Sequence, residues 1–279
     1  MASFGAEFLK LRKRPATWVL ALIWLGLVVL FGYVLTYFFF VSAPEETAVP
    51  GADPDSFLRA LLPENLLSNV LAGFPSNGGG PIALILGALA MGSEYGWETF
   101  KTSLTQRPGR LRVFFGKMLA LGALLVGFVL LAFAAGAVSS FGVARLEGAA
   151  VEWPPLADIL RAMGAGWLIA ALWTALGVLL ATLFRSTALA IGLGLVYVIL
   201  LEGVAATLLA SDDRYDPVRQ ALLNENSYAL INQFDSPLPE GFSVPNSIVE
   251  PTQGAIVLGA YTLGFILISA LLFWRRDAT

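Results

Sequence analysis

The sequence contains no cysteine and no histidine among its 279 residues. The lack of cysteine excludes disulfides and thiolate nucleophiles, and the lack of both residue types excludes the common zinc sites. Without histidine there is also no imidazole to serve as a general base near neutral pH. A hydrolytic or Cys/His-metal enzyme is therefore a poor interpretation of this chain.

Charged residues are scarce as well. They make up 13% of the chain, against about 25% in an ordinary soluble domain. Hydrophobic residues account for 57%, and the mean hydropathy is +0.75. This composition excludes most soluble classes and places the chain among membrane proteins.

We predict an all-α membrane protein in which residues 1–279 form a single transmembrane domain of six helices. A helix needs about 20 apolar residues to cross a hydrocarbon core of about 30 Å. The six candidate spans are about 17–41, 72–92, 118–141, 163–184, 187–210 and 255–274. The second span follows the helix-breaking stretch 73-GFPSNGGGP-81, so we expect it to be bent or broken near its outer end.

The basic residues predict the orientation of these spans. Twelve of the 17 Lys and Arg residues, but only four of the 20 Asp and Glu residues, fall on the side that carries both termini. By the positive-inside rule this side is cytoplasmic, and loops 42–71 and 211–253 are external. We expect a multi-pass protein of the cell (inner) membrane, with a first helix too long for a cleaved signal peptide.

The N-terminus has the pattern of a short interfacial helix. Phe4, Phe8 and Leu11 recur at helical spacing, with basic residues beside them, and Pro15 marks the turn into the first span. We predict a membrane-interface anchor consisting of Phe4, Phe8, Lys10, Arg12, Lys13 and Arg14.

Motifs for chemistry are few. No G-x-x-x-x-G-K-[ST] loop is present, so the chain is predicted to bind no ATP by itself. A Ser–Lys pair in the membrane would need a lysine inside a span, and Lys117 lies only at the edge of the third one. An intramembrane enzyme is thus disfavoured.

One acidic residue, Glu202, falls inside the predicted fifth span. Such carboxylates are costly and often functional. Glu202 could reach the lipid headgroups, pair with Arg161 or Arg214, or line the outer part of a substrate path. We place Tyr33 and Tyr37 on the same candidate path, although belt or packing roles account for most span aromatics equally well.

The stretch 94-EYGWETFKTSLTQRPGRLRVFFGK-117 forms the one substantial cytoplasmic connection. Trp97, Phe100 and Leu104 share one face of a predicted short helix, Glu98 and Lys101 pair on another, and the Pro108–Gly109 step breaks it. Nucleic-acid binding is the weakest hypothesis, since the membrane topology already explains the basic residues. A plain membrane anchor leaves the acidic face of the helix unexplained. A bent segment that docks a partner protein, which we call the elbow (residues 94–117), explains both the basic residues and the acidic face.

These residues resemble the signature of bacterial ABC type-2 transporter permeases. An acidic residue ends span two, an aromatic and threonine-containing short helix follows, and a Pro–x–Arg turn leads to Gly–Lys at the start of span three. The matching positions here are Glu94, Trp97, Thr99, Pro108, Arg110, Gly116 and Lys117. The N-terminal helix, the six spans and Glu202 extend the resemblance over nearly the whole chain.

The resemblance implies a permease subunit of an exporter. It would pair with a second copy or a paralogue, and two cytosolic ABC ATPase subunits would carry ATP and Mg²⁺. The ATPase-coupling residues would be Glu94, Trp97, Glu98, Phe100, Lys101 and Leu104. The alternative is a non-transporting membrane scaffold that acts mechanically on an external protein partner.

Overall fold

A computed structural model of the chain describes residues 2–42, 44, 49–75, 78–96, 110–209 and 213–275. Within these residues the backbone forms helices and short connections, with no β-strand. An all-helical protein is confirmed for this part of the chain.

Eleven helices are used below, numbered in chain order. They are α1 Ala2–Lys13, α2 Pro15–Val41, α3 Pro54–Leu61, α4 Leu66–Ala72, α5 Gly79–Gly96, α6 Arg110–Glu147, α7 Leu156–Phe184, α8 (the successive segments Thr187–Val196, Tyr197–Glu202 and Gly203–Leu209), α9 Asp216–Arg219, α10 Leu223–Ile231 and α11 Pro251–Arg275. Four of them, α2, α6, α7 and α11, are long and apolar enough to cross a membrane. The α5 and α8 helices are shorter apolar helices.

The helix in the second predicted span begins at Gly79 rather than near residue 72. The preceding helix α4 ends at Ala72, and the Gly79 N–H donates to the Gly73 carbonyl at 2.9 Å. The expected break is present. The predicted third and fourth spans also lengthen, to Arg110–Glu147 and Leu156–Phe184.

The centre of the bundle is the crossing of α5 and α7. A Cβ added to Gly87 would collide with the Thr174 carbonyl, and one added to Gly177 would collide with the Leu84 carbonyl. The Thr174 hydroxyl also donates to the Ala83 carbonyl at 3.1 Å. Small residues therefore let the two backbones approach closely, as in other membrane helix pairs.

Two of the apolar helices are partly π-helical. In α2 the α-helix gives way to π-helix over Leu27–Leu35 and Tyr37–Val41, and in α8 over Tyr197–Glu202. Segments of π-helix are rare and often occur at functional sites. The π-helical half of α2 forms one wall of a cavity described below.

The stretch 217-PVRQALLNENSYALINQF-234, with Pro217 at its start, predicts one small external helix on the membrane surface, but the structure does not form a single helix there. It contains the end of α9 and all of α10, and the side chains of α10 are buried along almost its whole length. This burial arises because α10 packs against α11 and α7. The predicted apolar side of that helix was Val218, Ala221, Leu222 and Leu230; Leu230 is buried but Val218 is exposed.

Candidate functional site

Buried charges meet where α1 packs against α6 beside the last turns of α5. The Lys117 side chain of α6 is 3% exposed, and its Nζ lies 3.6 Å from Glu7 Oε2 of α1. The same Nζ donates to the Ala90 carbonyl of α5 at 3.1 Å. Glu7 Oε1 also accepts from Lys10 Nζ at 2.6 Å, so one carboxylate serves two lysines.

A second cation reaches α5 one residue earlier. Arg14 lies between α1 and α2 in extended conformation, with Pro15 as the first residue of α2. Its Nη1 donates to the Leu89 carbonyl at 3.2 Å. Two positively charged side chains thus donate to successive backbone carbonyls of α5. We call Glu7, Arg14 and Lys117 the charge junction.

The charge junction joins three helices mechanically rather than offering reactive groups. Buried ion pairs add little net stability, yet removing one partner leaves an uncompensated charge and costs several kcal/mol (about 3–5). No group of three or more acidic side chains that could hold a metal ion occurs in the described residues. Holding α1, α5 and α6 in a fixed relation is what this arrangement can do.

The junction contacts α5 at Leu89 and Ala90, and both α5 and α6 lead into the predicted elbow. Helix α5 ends at Gly96 and α6 begins at Arg110. Of the predicted coupling residues, Glu94 belongs to the last turn of α5, but its side chain is not described. The others, Trp97, Glu98, Phe100, Lys101 and Leu104, lie outside the described residues. Their docking role stays a prediction.

The predicted anchor residues are divided between two faces of α1. The rings of Phe4 and Phe8 stack with centroids 5.8 Å apart, and Phe8 packs partly against the core. Three of the basic residues, Lys10, Arg12 and Lys13, are exposed. Arg14 instead belongs to the charge junction, and α1 is packed on α6 through Glu7 and Leu11. The anchor role stays a prediction.

Glu202 is fully buried at the start of helix α10. Its Oε1 accepts from the Tyr197 hydroxyl at 2.7 Å and from the Leu223 N–H at 3.0 Å, while Oε2 accepts from the Asn224 N–H at 3.0 Å. These backbone donors are the first two N–H groups of α10, which the helix itself cannot satisfy. Arg161, one of the partners considered from the sequence, pairs with Asp158 at 3.0 Å instead.

The two tyrosines of the candidate path contact other elements. Tyr33 is 2% exposed, and its hydroxyl lies beside the Asn69 side chain without a well-formed hydrogen bond. The Tyr37 hydroxyl donates to the Glu147 carboxylate at the end of α6. Neither tyrosine shares a hydrogen-bond partner with Glu202, so the structure does not join the three into one site. A path role for them remains a prediction.

Comparison with known proteins identifies the family. The model for the ABC-2 family transporter protein matches residues 3–201. The chain belongs to the ABC-2 transporter family. No curated protein matches it. As an ABC-2 permease it is a multi-pass membrane component of a transporter, and permeases of this family generally partner with ATPase subunits and often dimerise.

Sequence reasoning missed several residues of this ABC-2 permease. Glu7 stands as the lone acid in an otherwise basic α1, which was a usable signal for a buried partner. Glu225 is 5% exposed, accepts from the Ile248 N–H at 2.8 Å and lies 3.6 Å from Arg219 Nη2. The polar run 224-NENS inside an apolar stretch was the only hint of these buried contacts.

Proposed function

We propose that this permease is the membrane subunit of an ATP-driven exporter. Two copies, or one copy and a related permease, would form the membrane domain, and two cytosolic ATPase subunits would supply ATP and Mg²⁺. The six spans would be α2, α5, α6, α7, α8 and α11, in the cell (inner) membrane with both termini cytoplasmic. The family match and the distribution of Lys and Arg support this assignment.

The charge junction is the observation that carries the coupling part of the proposal. It ties the last turns of α5 to the first turns of α6, which are the two helices on either side of residues 97–109. An ATPase that moves the elbow would therefore move both helices and α1 together. Because α5 is packed on α7 at glycine contacts, the motion would reach the centre of the bundle.

The coupling role is tested by co-expression with the cognate ATPase, for which the product of an adjacent gene with a Walker A loop is the natural candidate. Glu98→Lys and Phe100→Ala should reduce copurification and permease-stimulated ATP hydrolysis. The matched control is Glu152→Lys, since Glu152 is exposed on the other side of the predicted membrane. Normal coupling in the elbow variants would contradict the docking role, and ATPase binding without any substrate movement would favour the scaffold alternative.

The orientation has an independent test, because the chain contains no cysteine to mutate away first. Single cysteines at Lys13, Arg185 and Glu152 would be treated with a membrane-impermeant maleimide in intact cells. Only the cysteine at position 152 should react from outside, while those at 13 and 185 should react after lysis. Labelling of position 13 or 185 in intact cells would overturn the proposed topology.

A further inference from the structure

The π-helical half of α2 faces an apolar cavity of about 450 Å³. Its opposite wall comes from α3, α4 and the loop at residues 238–242. This volume is in the range of small-molecule sites, which is about 300–1,000 Å³. No charged residue occurs among the described residues that line it. Apart from Tyr33, Thr36 and Asn69 the lining side chains are apolar or glycine, which suits a hydrocarbon ligand.

The cavity runs along the second half of the span. Its lining extends on α2 from Trp24 to Phe40, roughly 24 Å at the rise of an α-helix. Phe31 lines it while being 59% exposed, so the cavity is continuous with the outward apolar face of α2 that also carries Phe38 and Phe39. With α2 as a membrane span, a lipid acyl chain would reach the cavity from this face.

Aromatic rings close the distal end of the cavity. Phe40 and Phe57 stack with centroids 4.3 Å apart, and Phe242 meets both rings edge-on at 5.7 and 5.2 Å. Aromatic faces offer large apolar contact area to a chain end or a glycerol backbone. Of these three rings, Phe242 also lines a neighbouring cavity.

That neighbour is a polar cavity of about 360 Å³ that shares five wall residues with the first. They are Ala60, Asn69, Ala72, Leu238 and Phe242. The polar cavity adds two exposed carboxylates, Asp235 and Glu240, and no Lys or Arg lines it among the described residues. An apolar compartment beside an acidic one fits an amphiphile whose head group carries a positive charge.

We propose that the two cavities together bind one phospholipid with an amine-bearing head group. One acyl chain occupies the apolar cavity, and the ammonium group lies near Asp235 and Glu240 in the polar cavity. All residues of this lipid site belong to a single copy of the protein. It does not depend on the proposed export function and can be tested without an ATPase.

Gly32 gives a clean way to block the apolar cavity. It lines the cavity, and a Cβ placed on it would meet no atom within 4 Å, so Gly32→Leu fills space without a backbone clash. Gly26 is the matched control: it lies on the same helix with the same free space, but does not line the cavity. Both changes replace a helical glycine, which removes the glycine entropy penalty in each case.

The experiment uses the purified full chain in nanodiscs that contain phosphatidylethanolamine with a photoreactive diazirine near one chain end. Phe57 and Val70 are 3% and 2% exposed, so labels on these inner-wall residues report the cavity rather than the lipid annulus. The wild type and Gly32→Ala should carry such labels, Gly26→Leu should keep them, and Gly32→Leu should lose most of them. Labels confined to the outward face of α2, or retained in Gly32→Leu, would overturn the proposal.

The head-group preference is read in the same assay by competition. Unlabelled phosphatidylethanolamine should displace the inner-wall label more effectively than phosphatidylglycerol, and the double variant Asp235→Asn/Glu240→Gln should abolish that difference. Equal displacement by the two lipids in the wild type would overturn the assignment of the head group. Labelling of the inner wall by a photoreactive free fatty acid but not by the phospholipid would overturn the ligand class.

Discussion

The Glu202 carboxylate accepts a hydrogen bond from the Leu223 N–H at 3.0 Å, which joins α8 to the start of α10 across 21 residues of sequence. With the bond from Asn224, the carboxylate caps a helix from outside that helix. A negative charge in this position is favoured by the positive, N-terminal end of the helix dipole. Glu202 thus has a structural role that is complete without any substrate.

Substituting Glu202 should lower stability. Glu202→Ala leaves two buried N–H groups without acceptors, at a cost of about 1–3 kcal/mol for each unsatisfied group. Glu202→Gln keeps one acceptor oxygen, so the stability of this variant should lie between that of Glu202→Ala and that of the wild type. The measurement is the thermal unfolding midpoint of the purified protein in detergent, with the exposed Glu152→Gln as control.

The same variants separate the structural role from the path role. If Glu202 only caps α10, Glu202→Gln should leave substrate-stimulated ATPase activity and efflux unchanged once the amount of folded protein is matched. A changed substrate concentration dependence at normal stability would instead place Glu202 on the path. An unaltered unfolding midpoint in Glu202→Ala would contradict the capping role.

The sequence predicted the long helices well because their apolar runs are a local property. It also predicted the break before α5 from its glycines and prolines. The function of those glycines was not visible. A Cβ on Gly80 would lie 2.5 Å from the Pro75 carbonyl and 2.9 Å from Trp173 Nε1. The sequence indicated these glycines only as helix breakers, whereas Gly80 is required for close packing.

The buried polar contacts could not be predicted for a related reason. The backbone donors to Glu202 are 21 and 22 residues away, and the buried lysine beside Glu7 is on α6. A single sequence gives the periodicity of each helix but not the neighbour against which it packs. It was predictable that a buried carboxylate needs hydrogen-bond donors, but not which residues provide them.

The α5–α7 crossing makes a second prediction. Gly87→Leu should prevent the close approach because its side chain would meet the Thr174 backbone, which cannot rotate away. Overpacking of this kind costs about 1–3 kcal/mol or more. Gly127→Leu on α6 is the control, since a Cβ there meets nothing within 4 Å. Unfolding midpoints and gel-filtration profiles should show Gly87→Leu as far less stable than Gly127→Leu.

A milder variant keeps this prediction testable if Gly87→Leu does not fold. Thr174→Val retains the side-chain shape but removes the bond to the Ala83 carbonyl. Interhelical hydrogen bonds in membranes average about 0.6 kcal/mol, so the shift should be small but measurable. A loss in Thr174→Val as large as in Gly87→Leu would mean that the hydrogen bond, and not close approach, holds the crossing.

The stability of the first turn of α3 should depend on pH. Asp53 accepts from the Ser56 N–H at 3.1 Å and from the Ser56 hydroxyl at 2.5 Å, and the hydroxyl bond is the main cause that lowers the pKa of Asp53. A lowered folded-state pKa means that this stabilisation is complete above the unfolded value of about 3.9. It is lost as the pH falls through the lower folded value.

Hydrogen–deuterium exchange measures this effect at the amides of α3. After correction for intrinsic exchange, protection in the wild type should decrease as the pH falls below about 4. Asp53→Asn keeps a capping oxygen without a titrating group and should show a flatter profile. The same pH dependence in both proteins would assign the change to another group.

At the charge junction, the two lysines that contact Glu7 should differ in their effect on stability. Lys117→Met removes the cation that faces both Glu7 and the Ala90 carbonyl, so it should destabilise the protein strongly, by up to about 3–5 kcal/mol as for other broken buried pairs. Lys10→Ala should have a small effect, since Lys10 is 53% exposed and exposed pairs contribute about 0–1 kcal/mol. The charge swap Glu7→Lys/Lys117→Glu should fail to restore stability, because it places a carboxylate against the Ala90 carbonyl. Full rescue by the swap in thermal unfolding would show that only the ion pair matters and that the contact with α5 contributes nothing.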